Sequence, residues 1–253
     1  MKKTIFLVVL GLITVFCICF GTYKHLGGFA SAFKDGIHID FDDDNYDDDY
    51  DNEDFEEEEK TSKEKRSFNQ RLEKFSSIKI DAAVMGLRIE DGDNFHIESN
   101  FDREYLKPEV SVSGDKLVVR QKGRNHRGIN IGSQSCKVVI TIPSGTSLNN
   151  IDINSNVGDI AIRDLQSKDI AINLNVGEIN VRNVDFDNIQ CNNNVGEISI
   201  NPLAKLDDYD MSLATDIGEV RVAGRNYKRS YNSRGNGKKK IRANTNVGEI
   251  KVK

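Results

Sequence analysis

The sequence predicts an all-β fold, a β-solenoid (β-helix) with turns of about 19 residues. The phrase Asn-Val-Gly-Asp-Ile at 156–160 returns as Asn-Val-Gly-Glu-Ile at 175–179, 194–198 and 246–250, and more loosely as Asp-Ile-Gly-Glu-Val at 216–220. The copies are spaced by 19, 19, 22 and 30 residues. At about 3.3 Å per extended residue, nineteen residues trace a loop of roughly 60 Å, which suits stacked turns about 4.8 Å apart. A β-sandwich of short strands is the main alternative.

Apolar residues alternate with polar ones on both sides of each repeat glycine, which indicates two half-buried strands joined at a bend. Aligned on the residue before the glycine, four columns are apolar throughout. They are Ile151, Ile170, Ile189, Met211 and Ile241; Ile153, Ile172, Cys191, Leu213 and Ala243; Ile160, Ile179, Ile198, Val220 and Ile250; and Ile162, Val181, Ile200, Val222 and Val252. We expect each glycine at the bend, and a ladder of side-chain amides from the asparagines before the valines.

The N-terminal element is predicted to be a transmembrane anchor over residues 1–23. Residues 5–20 carry no charge, and the uncharged stretch reaches twenty residues with its flanks, enough to span a bilayer. Lys2 and Lys3 precede it and favour an N-terminus that stays inside, so the rest of the chain would be extracytoplasmic. Cleavage after Ala30-Ser31-Ala32 is the alternative.

Residues 24–75 are predicted to be an acidic, disordered tether with a short basic lead-in. From Asp35 to Glu59 there are fifteen acidic residues and no Lys or Arg, a composition that cannot bury a core. Lys60–Arg71 begins the basic part of the chain and is expected to form a short helix. Residues 1–59 carry a net charge of −11 in a chain of −5, so residues 60–253 carry +6.

Residues 76–253 are predicted to be the β-repeat domain, and 76–150 its starting cap. A worn first copy aligns Val84 with the repeat valines. Strand-like runs follow at Phe95–Glu98, Val110–Val112, Lys116–Arg120 and Cys136–Ile142. At the other end, Lys251-Val252-Lys253 is expected to be an open edge strand, protected by its lysines.

The strongest basic cluster is an insertion before the last copy, and it is the candidate anionic-ligand-binding site. Its members are Arg225, Lys228, Arg229, Arg234, Lys238, Lys239, Lys240 and Arg242. Such a surface suits an anionic envelope polymer or a phospholipid surface, while predicted export argues against nucleic acid. The alternatives are a solvated loop, or one folded back onto the acidic tether.

A column of acids follows the repeat glycines: Asp159, Glu178, Glu197, Glu219 and Glu249. Stacked like charges need an offset, which could be basic neighbours such as Arg221 and Lys251 or bound calcium; we favour the mixed, solvated face. Cys191 fits a buried column, and the cysteines and histidines show no disulfide, zinc or triad spacing. No catalytic set, metal site or cofactor is predicted.

The repeated phrase, the strands before it and the single N-terminal anchor resemble a bacterial "putative adhesin" family of unknown function. That family includes accessory membrane proteins of Lia-type envelope-stress operons. The resemblance covers residues 76–253 and implies a membrane-tethered, extracytoplasmic β-repeat domain without established catalytic residues. The predicted function is therefore non-enzymatic binding of a surface polymer or membrane-protein partner, or assistance in stress signalling. The alternative is a polysaccharide-acting lyase or hydrolase, since β-helices often host that chemistry.

Overall fold

A computed structural model describes residues 66–121, 135–235 and 238–253 of the 253-residue chain. All of them belong to one compact unit, Glu59–Lys253. The predicted anchor (1–23), residues 24–65 of the predicted tether and His126 lie outside the described residues. Within the described part, no helix has the length and apolar character needed to cross a bilayer.

The described residues form eighteen β-strands and two 3-10 helices, Glu104–Leu106 and Leu206–Asp208. The strands are β1 (Arg66–Arg71), β2 (Ser77–Val84), β3 (Gly86–Gly92), β4 (His96–Phe101), β5 (Glu109–Ser113), β6 (Lys116–Arg120), β7 (Cys136–Pro143), β8 (Ser147–Val157), β9 (Ile160–Arg163), β10 (Gln166–Val176), β11 (Ile179–Val195), β12 (Ile198–Pro202), β13 (Tyr209–Ile217), β14 (Val220–Val222), β15 (Arg225–Asn226), β16 (Ser230–Ser233), β17 (Lys239–Val247) and β18 (Ile250–Val252). The predicted all-β class is confirmed.

Each repeat contributes one strand to each of two sheets, because the chain turns at the repeat glycine. Sheet 1 holds the strands before the glycine, in the order β5-β6-β2-β8-β10-β11-β17-β13-β16. Sheet 2 holds the strands after it, in the order β1-β4-β7-β3-β9-β11-β12-β18-β14-β15. The long strand β11 belongs to both sheets. The repeats pair in parallel, so the arrangement is solenoid-like.

The core is made of the apolar columns that the alternation predicts. All four columns are buried, and every member is at most 5% exposed. The worn copy continues them with Ile78, Ile80, Leu87 and Ile89. Matching residues are in register across neighbouring strands, as Ile153, Ile172 and Cys191 show. Replacing one buried isoleucine by alanine in such a core costs about 2–5 kcal/mol.

The five repeat glycines form the bends. Their φ angles lie between +135° and +150°, a region that side chains rarely adopt. A Cβ on Gly196 would overlap the carbonyl oxygen of Gly177 in the neighbouring turn, and the other four have the same close approach. The glycines thus provide both the bend and the tight stacking of turns.

The last copy does not stack at the end of the coil, which corrects the prediction of an open C-terminal edge. Strand β17 lies between β11 and β13, and β18 lies between β12 and β14. The spatial order of the repeat residues is therefore Val84, Val157, Val176, Val195, Val247 and Ile217. Within the insertion before the last copy, the chain first returns beside β13 as the antiparallel strand β16, and β17 then lies on the other side of β13.

The strand β1 corrects a second prediction, because Arg66–Arg71 is extended and not helical. It pairs antiparallel with β4, and its Phe68 ring packs 6.5 Å from that of Phe101. The four predicted strand runs of the cap are confirmed as β4, β5, β6 and β7. In the described part, each sheet ends on an antiparallel strand: β5 and β16 in sheet 1, β1 and β15 in sheet 2.

Candidate functional site

The predicted ladder of amides runs along the outer face of sheet 1. Asn175 Nδ2 donates to Asn156 Oδ1 (2.8 Å), Asn194 Nδ2 donates to Asn175 Oδ1 (2.8 Å), and Asn246 Nδ2 donates to Asn194 Oδ1 (3.3 Å). All four side chains are exposed. The ladder follows the spatial order of the strands, so the next side chain after Asn194 is Asn246 of β17 and not Asp216 of β13.

A second ladder runs beside the first, two residues earlier on each strand. Asn154 donates to Asp81 (3.3 Å), Asn173 to Asn154 (2.9 Å), Asn192 to Asn173 (2.9 Å) and Asn244 to Asn192 (3.2 Å). Sequence reasoning missed this ladder. Its signal was present, because an Asn stands three residues before the repeat valine in four of the five copies.

An open groove of about 530 Å³ lies over the two ladders. Its polar lining comes mainly from the ladder amides, and Ala82, Ala83 and Gln121 line it as well. Gln121 is held in place at β2, because its Oε1 accepts from the N–H groups of Ala83 (3.1 Å) and Val84 (3.0 Å). Its Nε2 donates to the carbonyl of Leu106 at 2.8 Å. The groove therefore has a fixed boundary on that side.

The described part of the predicted basic insertion contains β15, β16 and the start of β17. Arg225 lies in β15, Lys228 and Arg229 lie in the turn that follows, and Arg234 follows β16. Lys238 precedes β17, and Lys240 and Arg242 lie within it. These seven side chains are exposed, and none forms an ion pair with another described residue. We call these seven residues the basic surface.

Lys239 differs from its neighbours and does not belong to the basic surface. Its Nζ lies 2.7 Å from Asp185 Oδ1, 3.5 Å from Asp187 Oδ1 and 2.8 Å from the carbonyl oxygen of Phe186. It also lies 6.0 Å from the centre of the Tyr209 ring. The side chain is 25% exposed. Lys239 therefore fixes β17 against β11 and is not free to bind a ligand.

Two members of the basic surface share the outer face of sheet 1 with the amide ladders. Lys240, Arg242, Asn244 and Asn246 occupy every second position of β17, so they lie on one face of the strand. All four are exposed. In register, Arg242 lies beside Gln190 of β11. Along β17, the outer face of sheet 1 thus changes from amides near the bend to cations farther from it, and on the next strand Asp210 of β13 lies in register with Lys240.

The acid column is divided into a paired and an unpaired part. Lys251 Nζ lies 2.9 Å from Glu197 and 3.0 Å from Glu249. Arg221 lies 3.0 Å from both Glu249 and Glu219. Burial alone would lower the pKa of Lys251, but its hydrogen bonds to Glu197 and Glu249 outweigh burial and raise it. This half is the mixed face that the sequence favours.

Asp159 and Glu178 are the unpaired part, since neither forms an ion pair with a described residue. Burial raises the pKa of Asp159, although its Oδ1 accepts from the Glu178 N–H at 3.1 Å. Burial raises the pKa of Glu178 as well, and the charges of Asp159 and Glu197 add to that. In the described part, no three His, Cys, Asp or Glu side chains converge as metal ligands.

The described cysteines are buried thiols. Cys191 is fully buried in its apolar column, as predicted, and burial raises its pKa to about 12. Cys136 is 2% exposed, and burial raises its pKa to about 11. Neither thiol has the lowered pKa or the exposure that a nucleophile needs.

A protein-family model described as Toastrack DUF4097 matches residues 75–224, more than half of the chain. A crystal structure of a "putative cell adhesion protein" from Clostridium sporogenes has a similar fold, with TM-score 0.61 and 17% identity over 75% of this chain and 99% of that one. A "putative adhesin" from Bacteroides fragilis aligns over 76% of this chain and 98% of its own, with 15% identity and TM-score 0.38. No curated protein matches the sequence.

Proposed function

Because the chain belongs to the Toastrack DUF4097 family, we propose that it is a non-enzymatic binding module of the bacterial envelope. Its ligand is an anionic surface polymer, which contacts the basic surface at the end of the coil. An N-terminal anchor over residues 1–23 holds the module at the cell membrane. The β-repeat domain is extracytoplasmic, where such a polymer is within reach.

The observation that carries this proposal is the set of seven exposed cations without an acidic partner in the described residues. A cation without an intramolecular partner binds an anion at a lower free-energy cost, because no ion pair has to be broken first. Several such cations on one part of a surface attract a polyanion more strongly than separate ones do, since their potentials add. Arg229 and Arg234 flank β16, which is an edge strand of sheet 1. No further described strand covers them there.

The acids of the molecule give a reason to prefer binding over catalysis. A glycoside-cleaving site needs two carboxyl groups that flank one bond with different environments. Here the acids recur once per turn, and Glu197, Glu219 and Glu249 are engaged by Lys251 and Arg221. The remaining pair, Asp159 and Glu178, lies outside the groove over the amide ladders.

The proposal is tested by co-sedimentation of the full chain, in membranes, with cell wall that carries or lacks its anionic polymer. The test variant replaces Arg225, Lys228, Arg229 and Arg234 by Gln. The control variant replaces Lys74, Arg103, Lys116 and Lys168 by Gln, which are also exposed and do not belong to the basic surface. Both variants lose the same formal charge.

We expect the parent and the control variant to bind wall that carries the anionic polymer, at low salt more than at high salt. The test variant should lose most of this binding. Equal losses in both variants would mean that only total charge matters. Binding that ignores both the polymer and the salt would contradict the proposal and favour a protein partner.

A further inference from the structure

We infer that the groove over the two amide ladders is a separate binding site for a neutral glycan chain, with the sugar hydroxyls hydrogen-bonded to the ladder amides. The inference concerns the outer face of β2, β8, β10 and β11 and does not depend on the basic surface. Four structural features support it: spare hydrogen-bonding capacity, regular spacing, neutrality and an apolar margin.

The ladder amides have hydrogen-bonding groups to spare. Asn173 and Asn175 each donate one N–H to the neighbouring strand and accept one bond from the other side. A primary amide has two N–H donors and two acceptor positions. One donor and one acceptor position of each side chain therefore remain for a ligand, and both residues are exposed. Hydroxyl groups, which donate and accept alike, match this pairing.

The spacing of the amides suits a polymer and not a single small molecule. Neighbouring strands lie about 4.8 Å apart, so equivalent amides repeat at that interval along the stack. The groove amides lie on three strands, β8, β10 and β11, so the array extends about 10 Å. A ligand with repeating hydroxyl groups can engage several strands in succession. Because the ladder bonds fix the amides in advance, little side-chain freedom is lost on binding.

The groove is almost neutral, which distinguishes its ligand from that of the basic surface. Among the residues that line it, Asp81 is the one charged side chain. Lys79 and Arg120 lie 3.9 Å from Asp81, so its charge is partly balanced. A polyanion gains nothing from such a lining, whereas an uncharged polymer avoids the cost of desolvating a charge.

An apolar margin accompanies the amides. Ala82 and Ala83 of β2 line the groove beside the amides, and both are partly exposed. The groove therefore presents apolar and hydrogen-bonding surface side by side. A sugar ring has the same two characters, because its hydroxyl edges are polar and its C–H faces are apolar.

The test measures binding of uncharged glucan oligosaccharides of increasing length to the full chain, in a detergent without a sugar headgroup. Equilibrium dialysis gives the affinity, and shifts of the Asn side-chain NH₂ resonances give the location. The variant Asn173→Ala/Asn175→Ala removes one residue from each ladder. The control Asn180→Ala/Asn188→Ala removes two exposed asparagines of β11 that do not line the groove.

We expect affinity to rise with oligosaccharide length until the chain spans the groove, and to be insensitive to salt. The groove variant should bind about tenfold more weakly, as expected for a few lost hydrogen bonds, and the control should bind like the parent. In the unmodified chain, shifts should be confined to asparagines of the two ladders, so the result does not depend on how well the variant folds.

Three outcomes would overturn the inference. In the first, the chain binds no neutral glucan although it still binds anionic polymer. In the second, the groove variant and the control variant lose the same affinity for the glucan. The third is preference of the groove for an extended peptide over every glycan. Loss of anionic-polymer binding alone would bear on the basic surface and leave this inference intact.

Discussion

At the scale of single residues, the bends depend on glycine for two reasons that act together. Gly196 has φ +135°, and a Cβ there would overlap the carbonyl oxygen of Gly177. We therefore expect Gly196→Ala to lower the free energy of unfolding by about 3 kcal/mol, from backbone strain and overpacking. Urea unfolding followed by circular dichroism measures this. Gly86→Ala is the control, because its Cβ would meet its nearest neighbour at an ordinary 3.7 Å; equal losses in the two variants would refute the account.

Lys239 and Lys240 are adjacent in sequence, but we expect them to differ in their contribution to stability. Lys239→Met removes charge-assisted hydrogen bonds to Asp185 and Phe186 from a site that is 25% exposed, and should cost about 2 kcal/mol. Lys240→Met changes an exposed side chain and should change stability by less than about 0.5 kcal/mol. Thermal unfolding of the two variants decides the matter. If Lys240 proved the costlier substitution, the strand register of β17 would be wrong.

Asp159 gives the fold a pH dependence of predictable sign. Burial raises its pKa above the ordinary 3.8, so the folded state holds the proton more tightly than the unfolded state. Its contribution to stability therefore falls as pH rises from the ordinary value through the raised one. Asp159→Asn keeps an oxygen for the Glu178 N–H and should stabilise the chain at neutral pH, with no gain at low pH. Denaturation across pH tests this, and a gain that is largest in acid would contradict it.

At the scale of elements, β17 and β18 lie between the preceding two copies, so the pairing of β13 and β14 with the rest of the coil depends on them. They supply the parallel partners of β13 and β14. Removing residues 239–253 should therefore leave residues 209–233 open to hydrogen exchange and protease, while β8 and β10 stay protected by their own pairing. Exchange followed by mass spectrometry locates the loss. Uniform protection of 209–233 after the deletion would mean that the copies stack in chain order.

The elements themselves were predictable from sequence, but their order in space was not. Period-two columns identify strands and their buried faces, so Ile153 and Ile172 could be assigned to the core in advance. The repeats are alike, however, and any copy offers the same columns to any other. The repeat pattern therefore does not predict that Val195 pairs with Val247 and not with Ile217. This pairing accompanies the antiparallel strand β16, which lies outside the repeated phrase and has no periodic signal in the sequence.

The candidate sites were predictable to different degrees for a related reason. Charge is visible in a sequence, so the basic surface could be named residue by residue. Partners are not visible, which is why Lys239 could not be separated from Lys240. The groove over the amide ladders depends on the alignment of Asn154, Asn173 and Asn192 across strands. That alignment becomes evident only when the column three residues before the valine is considered together with the stacking.

At the scale of the whole molecule, the two binding surfaces that we propose lie on one scaffold of paired strands. Neutral amide ladders cover the middle of the outer face of sheet 1, and the basic surface comprises two side chains of β17 together with residues of β15 and of the segments that flank β16 and β17. Parallel stacking joins these surfaces, because β8, β10, β11 and β17 are each hydrogen-bonded on both sides. A polymer with both sugar hydroxyls and anionic groups could engage both surfaces.

The central claim is that the basic surface binds an anionic polymer, and its most direct test is the salt dependence of that affinity. Calorimetric titration of the full chain with a poly(glycerol phosphate) should give a straight line of log affinity against log salt. Replacing Arg225, Lys228, Arg229 and Arg234 by Gln should reduce its slope by about three, as expected when four counterion-releasing contacts are lost. A slope that is unchanged in this variant, and reduced as much by the control at Lys74, Arg103, Lys116 and Lys168, would contradict the account.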